Sequence, residues 1–233
     1  SKLNDIGVMY FYLGDYSNAL KYYNQAFEIK EKIYTEYNNE FIQAFTNFGL
    51  TYLRMEDYKN ALKYYLKALE VGKKIYGENH KNCILTLNDI GVTYNKMGDY
   101  YSGLIYFLEA LEKWEKYVGE ENSNYIRLLE STARNYSLIG DQQKSLKYYM
   151  QTLDIVKKNV GEEHVRYASI LNNIGIVYGY MGDYENSLKT HIRSMEIKTK
   201  LQGEGNQSHA KSLNNIGLVY QYMGDYQNAL KYC

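Results

Sequence analysis

The chain has 233 residues, with 27 basic and 27 acidic side chains and a formal net charge of zero. That balance excludes the strongly basic footprint of a nucleic-acid binder. No apolar run reaches the roughly 18 to 20 residues of a membrane span, and the polar opening Ser1-Lys2-Leu3-Asn4-Asp5 does not read as a signal peptide. Cys83 and Cys233 stand far apart in no CxxC, so reduced thiols of a cytoplasmic chain are expected instead of a disulfide or zinc site.

Proline is absent and glycine punctuates the chain instead. A first helical pattern ends at Gly14-Asp15-Tyr16, and its equivalents begin at Glu56, Gly98, Gly140, Gly182 and Gly224, a period of 42 residues without a slip. Such a period signals one supersecondary unit stacked along an axis, each copy burying surface against its neighbours. The copies fall at approximately 1–38, 39–80, 81–122, 123–164, 165–206 and a partial 207–233. The chain opens inside a first helix and stops inside a second, as an internal piece of a longer protein would.

In each copy a first helix runs to the Gly-Asp turn and a second helix leaves it. The glycine is a left-handed stop, and the aspartate is placed to accept from the free amides of the next helix. In 165–206, Ala168, Leu171, Ile174, Gly175, Tyr178 and Met181 form the apolar stripe of the first helix. Tyr184, Ser187, Leu188, His191, Ser194, Met195 and Lys198 continue at helical spacing on the second, and Gly203-Glu204-Gly205-Asn206 closes the unit.

Small residues recur where the paired helices must approach. The first helix carries Gly7, Gly49, Gly91, Ala133, Gly175 and Gly217, and the second carries Ala19, Ala61, Gly103, Ser145, Ser187 and Ala229. Large residues fill the space between, with Tyr10, Tyr52, Tyr94, Tyr136, Tyr178 and Tyr220 on the first helix and Tyr23, Tyr65, Phe107, Tyr149 and His191 on the second.

This Gly-x-x-Tyr and small-aromatic-small spacing resembles the tetratricopeptide repeat, whose usual unit is about 34 residues. The longer unit, with Leu213-Asn214-Asn215-Ile216-Gly217 and the turns Gly77-Glu78-Asn79-His80 and Gly161-Glu162-Glu163-His164, is similar to the repeats of kinesin light chain. Lys81 and Val165 stand where that family carries proline. HEAT-type repeats share a period of roughly 40 to 47 residues but do not explain the regular glycine–aromatic spacing. The resemblance implies an all-α, right-handed α-solenoid of antiparallel helix pairs, about five and a half repeats long. It also implies a concave groove lined by the first helices.

Carried onto this sequence, the groove positions are Asn4, Thr46, Asn88, Glu130, Asn172 and Asn214 and their neighbours Asp5, Asn47, Asp89, Ser131, Asn173 and Asn215. One turn on come Val8, Leu50, Val92, Arg134, Ile176 and Leu218, then Phe11-Tyr12, Leu53-Arg54, Asn95-Lys96, Ser137-Leu138, Gly179-Tyr180 and Gln221-Tyr222. An asparagine ladder offers donors and acceptors that grip a peptide backbone, or it bonds to the neighbouring repeat and sets spacing; the sequence leaves both open. The fourth unit departs most, with Glu130, Ala133, Arg134 and Gln142. Arg127, Glu130 and Arg134 share a helix face, either as an intrahelical Glu130–Arg134 pair or as a basic spot for an acidic peptide. Arg54, Lys96, Arg127, Arg134 and Lys211 against Asp5, Asp89 and Glu130 favour the acidic ligand.

Other candidates are weaker. His80 and His164 read as turn residues, His191 as a packed imidazole, and Trp114 as inter-repeat packing. Gly203-x-Gly205 is no phosphate loop, because no strand precedes it. The Asn206-Gln207-Ser208 sequon has no secretory context. No nucleophile–base pair, metal spacing or cofactor motif stands out, so the expected function is a non-catalytic scaffold that takes a protein or peptide partner in its groove. The alternatives are a sensory segment of a larger enzyme or transcription regulator, and a kinesin-light-chain-like cargo adaptor on the cytoskeleton.

Overall fold

The structure is a computed structural model and describes residues 2–34, 38–118 and 123–232; Ser1 and Cys233 lie outside the described residues. Among the described residues there are twelve α-helices and no strand. They are α1 (Lys2–Tyr12), α2 (Tyr16–Ile33), α3 (Asn39–Arg54), α4 (Tyr58–Tyr76), α5 (Lys81–Lys96), α6 (Tyr100–Tyr117), α7 (Ser123–Ile139), α8 (Gln142–Val160), α9 (Val165–Met181), α10 (Tyr184–Gln202), α11 (Gln207–Tyr222) and α12 (Tyr226–Lys231). Consecutive helices pack as pairs, and the fold is an all-α solenoid. The chain divides into two compact units, Ser1–Glu120 with α1 to α6 and Glu121–Cys233 with α7 to α12.

The Gly-Asp turn carries two jobs on two residues. Gly182 adopts φ 77°, and the following amide, Asp183 N–H, donates to Tyr178 O at 3.0 Å, which closes the end of α9. The Asp183 carboxylate then accepts from Asn186 N–H and opens α10. The same arrangement recurs at Asp15, Asp57, Asp99, Asp141 and Asp225, so the repeated tripeptide is a helix stop fused to a helix start. The glycine is replaced once, by Glu56, which is held at φ 62°. Two of the intervening turns end in histidine caps. His80 Nδ1 accepts from Asn82 N–H at 3.3 Å and His164 Nδ1 from Arg166 N–H at 3.0 Å, so the two turn histidines start α5 and α9.

The small positions are required by contact. A Cβ on Gly49 would lie 2.8 Å from the Tyr65 ring, and one on Gly91 would lie 2.8 Å from Phe107. In the first unit the core is aromatic: Phe27 meets Phe41 and Phe48 edge-on at centroid distances of 5.6 and 5.9 Å. Trp114 is fully buried, and Cys83 is a buried free thiol whose pKa is raised by that burial. The second unit has a more aliphatic core around Ile126, Leu153, Ile170, Leu171, Ile174 and Ile197. Met181 departs from the expected apolar stripe. It is exposed, because it ends α9 where Gly182 turns the chain away.

In every hairpin but the fifth a tyrosine pair stacks. Tyr10 on Tyr22, Tyr52 on Tyr64, Tyr94 on Tyr106, Tyr136 on Tyr148 and Tyr220 on Tyr232 all lie at centroid distances between 5.4 and 5.6 Å. The fifth repeat has Thr190 at the place of the second ring, and His191 follows it where the first four have Tyr or Phe.

Candidate functional site

The first helices of the second unit, α7, α9 and α11, carry three clefts. The first, of about 450 Å³, is lined by Arg134, Gln142, Tyr149, Asn173, Ile176 and Tyr180 among others. The second, also about 450 Å³, lies beyond Ile176 and Tyr180, which border both, and reaches Tyr184, His191, Leu218 and Tyr222. The third, about 490 Å³, is bounded by Asn172, Lys198, Gln207, Lys211, Asn214 and Asn215. Asn215 borders the second and third clefts, so the three form a continuous series.

Each cleft has its own chemistry. In the first, Gln142 is tied down by its neighbour: Ser137 Oγ donates to Gln142 Oε1 and Gln142 Nε2 donates to Ser137 O, both at 3.1 Å. Tyr149 is a neutral phenol there, its pKa pushed up to about 12 mainly by burial. Arg134 stays exposed at the same cleft and forms no ion pair among the described residues. Of the two readings of this helix face, the intrahelical Glu130–Arg134 pair is not the one made. Glu130 instead meets Arg166 of α9 at 3.4 Å, because it is turned toward the next first helix and half-buried against it. That burial raises the Glu130 pKa, and Arg166 opposes the rise. The carboxylate is thus matched inside the protein.

In the third cleft Lys198 and Lys211 face each other without an ion-pair partner among the described residues. Burial, then the charge of Lys211, lowers the Lys198 pKa. Three amide side chains, Asn172, Asn214 and Asn215, complete the lining.

Among the described residues the asparagine ladder is bonded across adjacent repeats at two places. Asn47 Nδ2 donates to Asn4 Oδ1 at 3.1 Å, and Asn215 Nδ2 donates to Asn172 Oδ1 at 2.8 Å. Asn88 is buried at 2% exposure, with Nδ2 3.4 Å from Asp89 Oδ1, and offers little to a ligand. Arg54, Lys96, Arg127 and Asn214 are exposed, and Asn95 and Asn173 are half-buried. Tyr180 and Tyr222 stand out at 69% and 68% exposure. Of the groove positions expected from the sequence, the structure gathers Arg134, Asn173 and Tyr180 at the first cleft, Tyr180, Asn215 and Tyr222 at the second, and Asn172, Asn214 and Asn215 at the third. Arg127 lies outside these linings. Lys198, Tyr184 and His191 join the clefts from the second helix α10, a contribution the first-helix rule misses. The signal was present as the break Thr190-His191 in an otherwise aromatic register.

Models of the tetratricopeptide repeat match residues 40–100, 82–158 and 166–232, and a second model of the same description matches 3–33. The chain belongs to the tetratricopeptide repeat (TPR) family. Among solved structures this TPR chain is similar to BtubC (BKLC) from P. vanneervenii, at 20% identity and TM-score 0.73 over 82% of this chain and 76% of that one. It is also similar to the kinesin light chain-type, nearly identical TPR-like repeats from Podosopora anserina, at 15% identity and TM-score 0.73 over 82% of this chain and 90% of that one. A third is a STAND ATPase with a tetratricopeptide repeat sensor from Pyrococcus horikoshii, at 20% identity and TM-score 0.78 over 99% of this chain and 35% of that one. A search of curated proteins gives no significant match. TPR arrays of this kind are protein-interaction repeat scaffolds, and no helix among the described residues is long and apolar enough to cross a membrane.

Proposed function

We propose that this TPR array is a non-catalytic scaffold that takes an extended, acidic segment of a protein partner along the clefts of α7, α9 and α11. The observation that carries the acidic preference is the third cleft. Lys198 is held half-buried beside Lys211 with no carboxylate of its own, in a setting that raises the cost of its charge. A peptide carboxylate there would relieve the repulsion and gain a charge-assisted hydrogen bond from either lysine. Arg134 offers a second cation at the first cleft, and the asparagine amides between them suit the backbone of an extended chain.

The test compares two pools of extended peptides, one with glutamate and one with glutamine at central positions, by fluorescence anisotropy. The glutamate pool is expected to bind more tightly, with an advantage that falls as salt rises. Arg134→Glu with Lys211→Glu is expected to remove that advantage while helicity is kept, and Arg127→Glu to matter less. Equal affinity of the two pools would sink the acidic reading. A second reading, a sensory segment of a longer cytoplasmic protein, is favoured by the likeness to the repeat sensor of the Pyrococcus horikoshii ATPase, of which this chain covers 35%. Whether further domains accompany the array distinguishes the two.

A further inference from the structure

We propose that the second cleft is a pocket for an uncharged aromatic side chain bearing one hydrogen-bond donor, tyrosine or tryptophan, on the bound peptide, and that His191 selects it. This rests on the groove reading above and adds to it a site of different chemistry from the lysine cleft.

The second cleft coincides with smaller residues in the fifth repeat. Thr190 and His191 stand where the fourth repeat has Tyr148 and Tyr149, and Gly179 stands where the other first helices carry Phe11, Leu53, Asn95, Ser137 and Gln221. The space left, about 450 Å³, is walled by Ile176, Tyr180, Leu218 and the stacked rings of Tyr184 and Tyr222, whose centroids are 6.2 Å apart at 11°. Apolar and aromatic walls of this kind favour a flat ring.

The floor makes the choice more specific. His191 is only 2% exposed. Its Nδ1 lies 3.2 Å from Asn172 Oδ1, an oxygen that already accepts from Asn215 Nδ2. An amide oxygen only accepts, so the His191 proton sits on Nδ1 and the lone pair on Nε2. Burial, then the charge of Lys198, lowers the His191 pKa to about 4, so the ring is neutral at physiological pH. The Nε2–Cε1 edge lies over Gly175, where a Cβ would come within 2.8 Å of both atoms, and Gly175 is itself part of the lining. Nε2 has no hydrogen-bond partner among the described residues.

His191 lines the cleft, so a ring bound there shuts Nε2 off from water, and an acceptor covered without a donor is expensive. A phenyl ring fills the walls but leaves Nε2 unpaired, and an ionised carboxylate has no proton to give. A phenol O–H or an indole N–H supplies both the ring and the donor. The hydrogen bond between Asn215 and Asn172 forms the partition, with the lysine cleft on its far side at Lys198 and Lys211.

The experiment titrates the 233-residue chain with p-cresol, 3-methylindole and toluene, following the His191 ring proton by NMR. The first two are expected to bind about 3- to 10-fold more tightly than toluene, the ratio one neutral hydrogen bond supplies. His191→Phe, which copies the Phe107-on-Gly91 contact of the third repeat, is expected to abolish that ratio with helicity unchanged. If that variant fails to fold, 4-methylanisole serves in the unaltered chain, since it keeps the ring and loses the donor; it is expected to bind like toluene. N-acetyltyrosinamide is expected to bind at least as well as p-cresol, as a peptide side chain would. Equal binding of p-cresol and toluene overturns the proposal, as does a preference that survives His191→Phe, exclusion of the blocked tyrosine, or binding of none of the three. None of these probes carries a carboxylate, so the outcome is independent of the acidic-peptide titration.

Discussion

The third and fifth repeats are built on the same helix pair and end with different interiors. In the third, the Phe107 ring covers Gly91, and Tyr94 stacks on Tyr106 at 5.5 Å. In the fifth, His191 covers Gly175 and Thr190 replaces the stacking ring, its single hydroxyl proton shared between Asn186 O and Ser187 O of its own helix. The polar pair gives up the ring stack, and His191 supplies the second cleft with a hydrogen-bonding floor. In a repeat protein, regularity marks what holds the scaffold together, and the loss of a regular residue marks where something else can be accommodated.

The largest expected difference between the two repeats is in their response to acid. His191 is neutral in the folded chain down to a pKa of about 4 and has an ordinary value near 6.5 when unfolded. Between these limits the unfolded state binds the proton and the folded state does not, so stability falls as pH drops from 6.5 toward 4. The shift corresponds to about 3 kcal/mol. Lys198 adds to the effect, while Asn172 and Asn215, the other polar neighbours, carry no charge. Denaturant midpoints at pH 7 and pH 4.5 are expected to separate much further for the unaltered chain than for His191→Phe. Equal separation would show that the fifth repeat is no different electrostatically from the third.

The glycines of the two repeats are expected to respond with opposite signs. Gly91→Ala places a Cβ 2.8 Å from Phe107, and overpacking of this kind costs about 1–3 kcal/mol. At Gly179 the nearest atom to a new Cβ is Ser187 Oγ at 3.5 Å, ordinary contact inside a helix. Gly179→Ala is therefore expected to stabilise by about 0.5–1 kcal/mol through helix propensity, while it narrows the second cleft and weakens p-cresol binding. Thermal melts and the p-cresol titration on one pair of variants check both signs.

The contrast also explains what could be read from the chain alone. The period, the Gly-Asp turn and the small–large alternation are local rules repeated six times, so helices and hairpins were legible. Positions such as Arg134, Asn173, Tyr180 and Tyr222 followed from the first-helix face. The partners of individual polar groups did not. Glu130 lies four residues from Arg134 but meets Arg166 of the next first helix, because the packing of α9 on α8 decides which cation is in reach. Lys198 fitted the stripe of its own helix, and only the stacking of α11 brings Lys211 beside it. His191 was legible as a buried ring; that one of its nitrogens lacks a partner depends on Asn172 and Asn215, nineteen and twenty-four positions away.

The smallest effect concerns the one turn where the repeated glycine is missing. Glu56 takes φ 62° at the place where Gly98 takes 84° and Gly182 takes 77°. The hydrogen bonds around it are those of the other turns: Glu56 N–H donates to Leu53 O at 3.2 Å and Asp57 N–H to Tyr52 O at 2.9 Å. The end of α3 and the Asp57 cap of α4 therefore impose the left-handed conformation on a residue whose Cβ disfavours it, at a cost of about 1–2 kcal/mol. Glu56→Gly relieves that strain and loses part of the gain to the greater freedom of glycine in the unfolded chain, leaving an expected stabilisation of about 0.5–1 kcal/mol. Gly98→Ala, the reverse exchange in the neighbouring turn, is expected to lose a similar amount, since nothing lies within 4 Å of its Cβ and only the backbone angle is at stake. Chemical denaturation of the two variants reads the difference. If the midpoints move in the same direction, the turn is set by its hydrogen bonds and the glycine is not what holds it.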